Sequence, residues 1–534
     1  MKRFIICIVT LAAICSSQAL MGASLSVKAP KSVELASQSV EPYSIQISCK
    51  GEEVEITPSA EWFGVSSGIK RLASKTNHII KIWAEPNLST SERSAVLTLK
   101  GLTSGKVREI IISQPPYLKV IKDGFPMRME AQKYDTEQWQ AKGVSSPKGS
   151  SALFSAVNVS GNTLTMTNER GATIAGMGAG DYYLFAVPVT KVEAGEQFDF
   201  MCTMTAMQPT APKYWIFEYW DCGQWKSLES TLRTAEEDSS IRYSFYNKHL
   251  RSAHNTTFAQ TFHISQPIEN GCVKVRLRAL TAGEGKVKLT GSSKYISMQL
   301  LRYNNSPKAI DNKRMLFIGN SFTYFYGTPF MFKEIARSEG HQVDIVVSVK
   351  GGQEFCEHLE LERSREAIMQ GGFDYAFLQD TSPNAAKYAD TQDIAIINAC
   401  REINNLTMQH SPSCQIIYEH TWGCPYDDYR GYGSYERLER LLEQGAKMLA
   451  EQLSEYNIIV SPIGKGFTTG REQNLKLLHS DNRHQSREGA YMKACINYLL
   501  IYKQPFTQSV SDCGVKAQTA QIIRDIAEHV VLAK

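Results

Sequence analysis

The chain has 534 residues, of which 43% are hydrophobic, 21% charged and 10% aromatic. This is the composition of an ordinary globular protein, and it excludes intrinsic disorder, collagen-like structure and coiled coil as descriptions of the whole. Lys and Arg number 58 against 54 Asp and Glu, so the formal net charge is only +4, without blocks of one sign. This balance excludes the basic surface that nucleic-acid binding requires. The length predicts about three or four domains.

Residues 1–19 have the parts of a secretory signal peptide. Two cations, Lys2 and Arg3, precede an apolar stretch at residues 4–14, and small residues lead to a cleavage site after Ala19. Cys15 raises the alternative of a lipoprotein anchor, which the bulky residue before it disfavours. The rest of the sequence contains no run of 18 apolar residues, so no transmembrane segment is predicted. We therefore expect an exported protein, periplasmic or secreted.

Residues 24–116 have the alternation and turn spacing of a small β-sandwich. Within this region, Trp62, Asn87, Arg93 and the terminal Gln114 resemble the BACON domain at the front of exported Bacteroidetes polysaccharide-processing proteins. The resemblance implies a module that serves as a spacer or binds sugar. Both roles stay open from the sequence.

Residues 118–306 remain strand-rich, with many aromatic residues and polar turns. The segment Cys272 to Arg278 alternates apolar and basic residues, as a strand with one buried face does. We predict a jelly-roll-like sandwich that is a possible carbohydrate-binding module. Trp215, Trp220 and Trp225 fit stacking on sugar rings, although aromatic residues in strands more often belong to the core.

From residue 309 to residue 534 the pattern changes to strands alternating with helices. This alternation predicts a five-stranded parallel sheet covered by helices on both faces. Such sheets bind ligands at the carboxyl ends of their strands, so the function is expected in the loops there. The predicted strands are Arg314–Ile318, Val343–Val349, Tyr375–Leu378, Gln415–Tyr418 and Asn457–Val460. The predicted helices are Pro329–Ser338, Glu354–Met369, Gln392–Met408, Tyr435–Leu453, Arg487–Tyr502 and Ala517–Val531.

A serine lies in the first of these loops, in the segment Gly319-Asn320-Ser321-Phe322-Thr323. Serine is a weak nucleophile and needs a base that a third group orients. The strongest partners are Asp481 and His484, three residues apart before the helix at Arg487, where Asp481 can hold one ring nitrogen while the other faces Ser321. This predicts a Ser-His-Asp triad.

These segments resemble two sequence blocks of the SGNH (GDSL-type) hydrolase superfamily, over about 225 residues to the end of the chain. The loop at Ser321 is similar to its first block, with Asn in place of Asp, and Asp481-x-x-His484 is similar to its last block. The resemblance implies a flavodoxin-like sheet and ester hydrolysis through an acyl-serine, without a cofactor. It also implies an oxyanion hole made by the backbone N–H groups of Ser321 and of Gly352.

Two positions depart from the family pattern. Where the third block usually has Gly-x-Asn-Asp, the strand from Tyr375 ends in Leu378-Gln379-Asp380. The side-chain amide of Gln379 is therefore a candidate third oxyanion donor, with an ordinary polar strand end as the alternative. The last block usually contains His-Pro-Ser, and Gln485 replaces that proline, which removes no catalytic group.

Other motifs in the sequence are not interpreted as catalytic or metal-binding sites. Gly64-Val65-Ser66-Ser67-Gly68 matches the letters of a nucleophile elbow, but it lies in an all-β region with no helix after it. His358, His420 and Trp422 lie in or near the hydrolase loops, where structural roles are the simpler interpretation. No His-Glu-x-x-His segment or Cys/His cluster predicts a metal site.

The leading hypothesis is an exported esterase that removes acetyl or methyl esters from a polysaccharide or oligosaccharide. The second is a lipid or aryl esterase whose β-modules are spacers. The third is a carbohydrate-binding surface protein that has lost activity, which the intact Ser321, Asp481 and His484 argue against. The ester and the glycan stay open, as do the disulfide pairing and the oligomeric state.

Overall fold

The computed structural model describes residues 26–533 except for a set of short internal segments. Those segments are 131–134, 148–149, 169–170, 209, 213, 228–241, 245–255, 290–296, 304–310 and 426–430. The predicted signal peptide and the predicted boundary between residues 306 and 309 lie outside the described residues. No helix in the described part is long and apolar enough to cross a membrane.

Residues 26–114 form two β-sheets around one apolar core. Within the described residues, the strand orders are β1-β3-β7-β5 and β2-β9-β8-β4-β6. Ile45 and Ile47 of the first sheet meet Leu97 and Leu99 of the second in the shared core, because alternate side chains of a strand face the same side. The strands are β1 Ser26–Lys28, β2 Ser32–Glu34, β3 Tyr43–Lys50, β4 Val54–Pro58, β5 Phe63–Val65, β6 Arg71–Leu72, β7 Lys75–Ala84, β8 Arg93–Gly101 and β9 Val107–Gln114.

The four residues that carry the BACON resemblance form one cluster at the end of β9. The Arg93 guanidinium lies 4.2 Å from the Trp62 ring centroid and donates to Gln114 Oε1 at 2.6 and 2.9 Å. Asn87 Nδ2 donates to the Gln114 carbonyl at 3.0 Å. In this structure the cluster ties the last strand to the loop before β8.

Residues 127–303 form a second pair of sheets around a core rich in aromatic residues. Phe200 of one sheet packs against Phe185 and Phe217 of the other, with ring centroids 5.0 and 5.3 Å apart. The elements are β10 Met127–Glu130, α1 Thr136–Lys142, β11 Val144–Ser145, β12 Leu153–Val157, β13 Thr165–Thr167, β14 Thr173–Ala175, β15 Tyr182–Val192, β16 Gln197–Ala206, β17 Tyr214–Asp221, β18 Gln224–Ser227, β19 Arg242–Ser244, β20 Thr256–His263, β21 Ile268–Ala279, β22 Val287–Leu289 and β23 Ser297–Tyr303. We call this part the middle sandwich.

The three tryptophans proposed for sugar stacking have different surroundings. Trp215 is fully buried in the core. The Lys274 ammonium lies 4.2 Å from the Trp220 ring centroid, and the Arg276 guanidinium lies 4.2 Å from that of Trp225. Cationic side chains therefore cover the two rings that are not in the core.

Residues 312–532 contain a five-stranded parallel sheet in the described part of the chain, with the order β25-β24-β26-β27-β28. Its strands are β24 Asn312–Gly319, β25 Gln342–Val349, β26 Tyr375–Leu378, β27 Gln415–Glu419 and β28 Ile459–Ser461. Its helices are α2 Ser321–Tyr324, α3 Thr328–Ser338, α4 Phe355–Glu360, α5 Glu362–Met369, α6 Ser382–Thr391, α7 Ile394–His410, α8 Tyr435–Gln452, α9 Ile463–Glu472, α10 Arg487–Tyr502 and α11 Ala517–Leu532.

Both faces of this sheet are buried, as the run of apolar residues in β24 predicts. Met315 and Phe317 join a core with α3, α9, α10 and α11, whereas Leu316 and Ile318 join a core with α4 to α8. The strand order has the flavodoxin-like form, in which the chain reverses direction across the sheet beside β24. The loop after β24, which carries Ser321, therefore lies where such sheets bind ligands.

The helices differ from the prediction in three places. The stretch from Glu354 to Met369 is two helices, α4 and α5, which Leu361 joins in an extended conformation. Helices α6 and α9 were not predicted. The helix predicted at Pro329–Ser338 is present as α3, and the one-turn α2 and a kinked 3₁₀ turn at Phe325–Gly327 precede it.

The middle sandwich contacts both of its neighbours. Towards the N-terminal sandwich, Glu85 accepts a hydrogen bond from the Tyr182 hydroxyl at 2.7 Å and pairs with Lys274 at 3.2 Å. Towards the parallel-sheet region, Lys333 of α3 pairs with Asp199 of β16 at 2.9 Å, and both side chains are fully buried.

Candidate active site

Ser321, His484 and Asp481 form one hydrogen-bonded chain at the carboxyl edge of the parallel sheet. Ser321 Oγ lies 2.8 Å from His484 Nε2, and His484 Nδ1 lies 2.6 Å from Asp481 Oδ2. Both distances are within hydrogen-bond range. The structure therefore brings together the three residues that the sequence predicts as a triad.

Asn320 positions the serine at the start of α2. Its side chain caps the helix by accepting from Phe322 N at 3.1 Å, and its Nδ2 donates to the Gln353 carbonyl at 3.1 Å. Its own backbone N–H donates to Gln379 Oε1 at 3.1 Å. Asn320 is thus a helix cap that also ties the loop after β24 to the loop after β25.

The loop before α10 holds the other two residues of the chain. Asp481 Oδ1 accepts from the backbone N–H groups of Arg483 and His484, both at 3.0 Å, which leaves Oδ2 for the imidazole. Asn482 takes a left-handed conformation (φ 51°) that closes this turn, and asparagine tolerates that region. The Trp422 indole N–H donates to the Arg483 carbonyl at 3.0 Å and secures the loop from the side of β27.

Aromatic rings enclose the imidazole. The Phe325 ring stacks on His484 with centroids 4.2 Å apart and planes 18° apart, and the Phe322 ring meets it edge-on at 5.3 Å. Trp422 in turn stacks between Phe322 and Phe467. This packing restricts His484 to the orientation that faces Ser321.

Burial and hydrogen bonds set the charges of the pair. Burial lowers the pKa of His484, although the hydrogen bond and the negative charge of Asp481 oppose that shift. Burial alone would raise the pKa of Asp481, but hydrogen bonds from His484 and from the backbone N–H of Arg483 outweigh it and lower this pKa to about 2. At neutral pH the arrangement is an uncharged imidazole next to a carboxylate, as a general base requires.

The proposed oxyanion donors differ in what surrounds them. Ser321 is the first residue of α2, so its N–H is one of the donors that have no partner within a helix. Gly352 lies in the turn after β25 with φ +72°, and a Cβ built there meets nothing within 4 Å. The Gly352 backbone therefore borders open space at the same sheet edge.

Gln379 is fully buried at the end of β26. Its Oε1 accepts from Asn320 N and from the Thr323 hydroxyl at 3.0 Å, and its Nε2 donates to the Asp380 carbonyl. These bonds hold the serine loop against the sheet. The donor role predicted for the Gln379 amide has no counterpart among them and stays a prediction.

Two residues for which the sequence predicts no supporting role bind the backbone of the serine helix. Gln485 donates from Nε2 to the Phe322 carbonyl at 3.0 Å. The buried Lys493 of α10 donates to the same carbonyl at 2.9 Å and pairs with Glu419 at 2.7 Å. The residue after the candidate base is thus bonded to the residue after the candidate nucleophile.

His358, His420 and Trp422, for which the sequence favours structural roles, are all buried. His358 lies 3.1 Å from the Gly319 carbonyl and 2.8 Å from the Ser364 hydroxyl, and burial lowers its pKa to about 3. Burial also lowers the pKa of His420, to about 4. Trp422 supports the His484 loop. All three side chains thus have structural roles beside the candidate active site.

Two clefts border the loops that carry these residues. The first, about 380 Å³, lies among the loops after β25 and β26 and helices α6 and α7, and we call it the polar cleft; it includes Glu354, Asp380, Asn384, Lys387 and Tyr432. The second, about 490 Å³, lies beside the Asp481 loop and α9, and we call it the apolar cleft; it includes Trp422, Phe467, Leu475, Leu477 and Leu478. The described residues contain no group of three metal-binding side chains.

The serines of the segment Gly64 to Gly68, which the sequence does not predict to be catalytic, lie in the N-terminal sandwich. Ser66 and Ser67 lie in a 3₁₀ turn after β5, and the Ser67 hydroxyl donates to the Ser160 carbonyl at 2.7 Å. This turn contacts the middle sandwich.

No protein-family model and no curated protein matches the sequence. Solved structures with partial similarity include a DUF4886 family protein from Bacteroides uniformis, at 17% identity over 42% of this chain and 96% of that one, with a TM-score of 0.36. A family two carbohydrate esterase from Clostridium thermocellum is 8% identical over 71% of this chain and 98% of that one, with a TM-score of 0.27. An acetylxylan esterase from Geobacillus stearothermophilus is 13% identical over 36% and 95%, with a TM-score of 0.28. At these TM-scores the similarities carry no argument about this chain.

Proposed function

We propose that this protein is an exported serine esterase that removes acetyl or methyl ester groups from a polysaccharide. The observation that carries the proposal is the hydrogen-bonded chain from Ser321 Oγ through His484 to Asp481, at 2.8 and 2.6 Å. A serine, a neutral imidazole and a carboxylate in this order are the parts of an acyl-transfer catalyst.

In this mechanism Ser321 Oγ attacks the ester carbonyl while His484 Nε2 takes its proton. The backbone N–H groups of Ser321 and Gly352 donate to the oxyanion of the tetrahedral intermediate. His484 then gives the proton to the leaving alcohol, which leaves an acyl group on Ser321. Water, deprotonated by His484, hydrolyses that acyl-serine and restores the hydroxyl. Asp481 stays ionised and stabilises the imidazolium that forms in each step.

The polar cleft supports a carbohydrate substrate. It combines the aromatic ring of Tyr432 with the charged or amide side chains of Glu354, Asn384 and Lys387. Sugars present both an apolar ring face and many hydroxyl groups, so a site of this mixed character fits them. The lining of the cleft begins at Glu354, two residues after Gly352, so a glycan in it would lie beside the loop of the proposed oxyanion donor.

The apolar cleft supports a second candidate, the hydrolysis of lipid or aryl esters. Its walls include Trp422, Phe467 and three leucines, and it adjoins the loop of Asp481. An acyl chain or an aromatic ring would bury apolar surface there. In this case the β-sandwiches would be spacers.

The test combines a small ester, polysaccharides and two variants of the full-length protein. We expect hydrolysis of nitrophenyl acetate and release of acetate or methanol from one of a panel of plant polysaccharides. Ser321→Ala should fold normally and lose activity by on the order of 10³-fold or more, because triad members act as a unit. Ser66→Ala is the matched control and should keep full activity. Activity that survives in Ser321→Ala would reject the proposal.

The same assay separates the two substrate classes. Lys387→Ala, in the polar cleft, should raise KM for the polysaccharide and leave nitrophenyl acetate unaffected. Leu475→Ser, in the apolar cleft, should leave the polysaccharide reaction unchanged. The reverse pattern, together with turnover of lipid or aryl esters alone, would establish the second candidate.

A further inference from the structure

The middle sandwich reaches the backbone beside the candidate active site. Gln299 of β23 is buried, and its Nε2 donates to the Tyr326 carbonyl at 2.9 Å. Tyr326 lies in the turn between α2 and α3, only five residues after Ser321. A side chain from one part of the chain thus holds the turn that continues the nucleophile helix in another.

This turn has a conformation that requires support. Tyr326 has φ +57°, a left-handed region that is unfavourable for a non-glycine residue. Gly327 follows with φ +72°, and a Cβ built there lies 2.6 Å from Gln299 Nε2 and 3.1 Å from the Met201 side chain. The sandwich therefore approaches as closely as a residue without a side chain allows. An unusual backbone of this kind persists only where its surroundings hold it.

The Phe325–Gly327 turn positions the Phe325 ring, which stacks on the imidazole of the candidate base, His484. Phe325 directly precedes Tyr326, and its ring lies 4.2 Å from the imidazole of His484. The Phe325 backbone N–H donates to the Ser321 carbonyl. A shift of the Tyr326 peptide would move Phe325, which touches both the serine helix and the imidazole.

We infer that Gln299 is a positioning residue for the proposed esterase, which fixes the Phe325–Gly327 turn and through it the orientation of His484 towards Ser321. The middle sandwich is then part of the catalytic scaffold as well as a candidate binding module. This inference rests on the proposed function, because it assigns Gln299 a role in the same site.

The interface supplies a matched control of the same residue type. Gln197 of β16 lies in the same sheet, is equally buried and accepts from Arg337 of α3 at 2.5 Å. Its partner belongs to a helix and not to the turn beside Ser321. Gln299→Met and Gln197→Met therefore each remove one amide from one interface, but only the first removes a bond to the active-site turn.

The experiment measures kcat and KM for nitrophenyl acetate with the full-length variants, after circular dichroism and thermal melts show them folded. We expect Gln299→Met to lower kcat by on the order of 10- to 100-fold with little change in KM, because small misplacement of catalytic groups has effects of this size. Gln197→Met should keep the wild-type kcat. Gln299→Asn, which keeps an amide too short to reach Tyr326, replaces Gln299→Met if that variant fails to fold.

The pH profile is a second readout, which a general loss of stability would not move. The charged groups acting on His484 are Asp481 and Arg483, and both stay in the variant. A loosened Phe325 exposes the imidazole and relieves the burial that lowers its pKa. The acid limb of the profile should therefore shift to higher pH in Gln299→Met and stay in place in Gln197→Met.

Two outcomes overturn the inference. In the first, a folded Gln299→Met has the kcat and pH profile of the wild type. In the second, both glutamine variants lose activity equally, which indicates only a weakened interface. Failure of the proposed function is a separate result, because the wild-type protein would then neither hydrolyse the ester nor react with a fluorophosphonate, and the positioning role would fail with it.

Discussion

The two surfaces of the middle sandwich differ in what they bury. The surface towards the N-terminal sandwich holds partly exposed charges, with Lys274 17% exposed in its pair with Glu85. The surface towards the parallel sheet buries Lys333 and Asp199 completely. Both surfaces also bury apolar residues: Phe330 of α3 packs with Met201 of the sandwich, and Leu88 of the N-terminal part packs with Leu153 and Ala186. The contact with the parallel sheet therefore differs from the other contact in that its ion pair is completely buried.

Deletion of whole domains should give the largest difference in activity between the two contacts. Removal of residues 26–116 should leave a folded protein with unchanged activity on nitrophenyl acetate, because its contacts are with strands β12, β15 and β21 of the middle sandwich, away from Ser321. Removal of residues 26–306 should abolish activity, because it exposes Phe330 and leaves Lys333 and the Tyr326 turn without their partners. Circular dichroism and ester hydrolysis of both fragments measure the effect. A folded, active 309–534 fragment would show that the parallel sheet alone carries the chemistry.

Single substitutions should also lower the free energy of unfolding more at the contact with the parallel sheet than at the contact with the N-terminal sandwich. Asp199→Asn leaves the Lys333 ammonium buried without its charge partner and should lower the free energy of unfolding by about 3 to 5 kcal/mol. Glu85→Gln keeps an acceptor for the Tyr182 hydroxyl, so we expect a loss of about 1 to 2 kcal/mol. Denaturant titration of both variants checks the order. Equal losses would mean that the two contacts are alike.

The pH dependence of catalysis should be the smallest effect. Neutral His484 is the active form, so kcat/KM should rise as pH increases through its pKa and fall away below it. Because burial lowers that pKa, the midpoint should lie below the ordinary histidine value of about 6.5. Ser66→Ala, altered only at the N-terminal contact, should give the same curve. A midpoint above 7 would contradict the buried, neutral imidazole.

The sequence predicts well those features that have a local signal. The strands of the parallel sheet are apolar runs of suitable length, and helix α10 has the predicted bounds. Ser321, Asp481 and His484 lie in short segments of recognisable spacing after a strand or before a helix. Their meeting follows from strand topology, because the carboxyl ends of parallel strands share one edge.

Features that depend on tertiary packing have no such signal. Helix α9 contains Gly464, Gly466 and Gly470, residues with low helix propensity, so the sequence does not suggest it. In the structure these glycines allow close packing, since a Cβ at Gly464 would lie 2.4 Å from the His420 ring. The roles of Gln299 and Lys493 likewise depend on neighbours more than 25 residues away in sequence. No spacing rule within one segment reveals them.

The most direct measurement of the central claim is labelling of the full-length protein with a fluorophosphonate, followed by peptide mass spectrometry. A serine with a hydrogen-bonded neutral imidazole reacts with this probe, whereas ordinary serines do not. We predict one adduct, on the peptide that contains Ser321, and no adduct when His484 is replaced by Ala. An unlabelled wild-type protein, or an adduct on Ser66 in place of Ser321, would contradict the assignment.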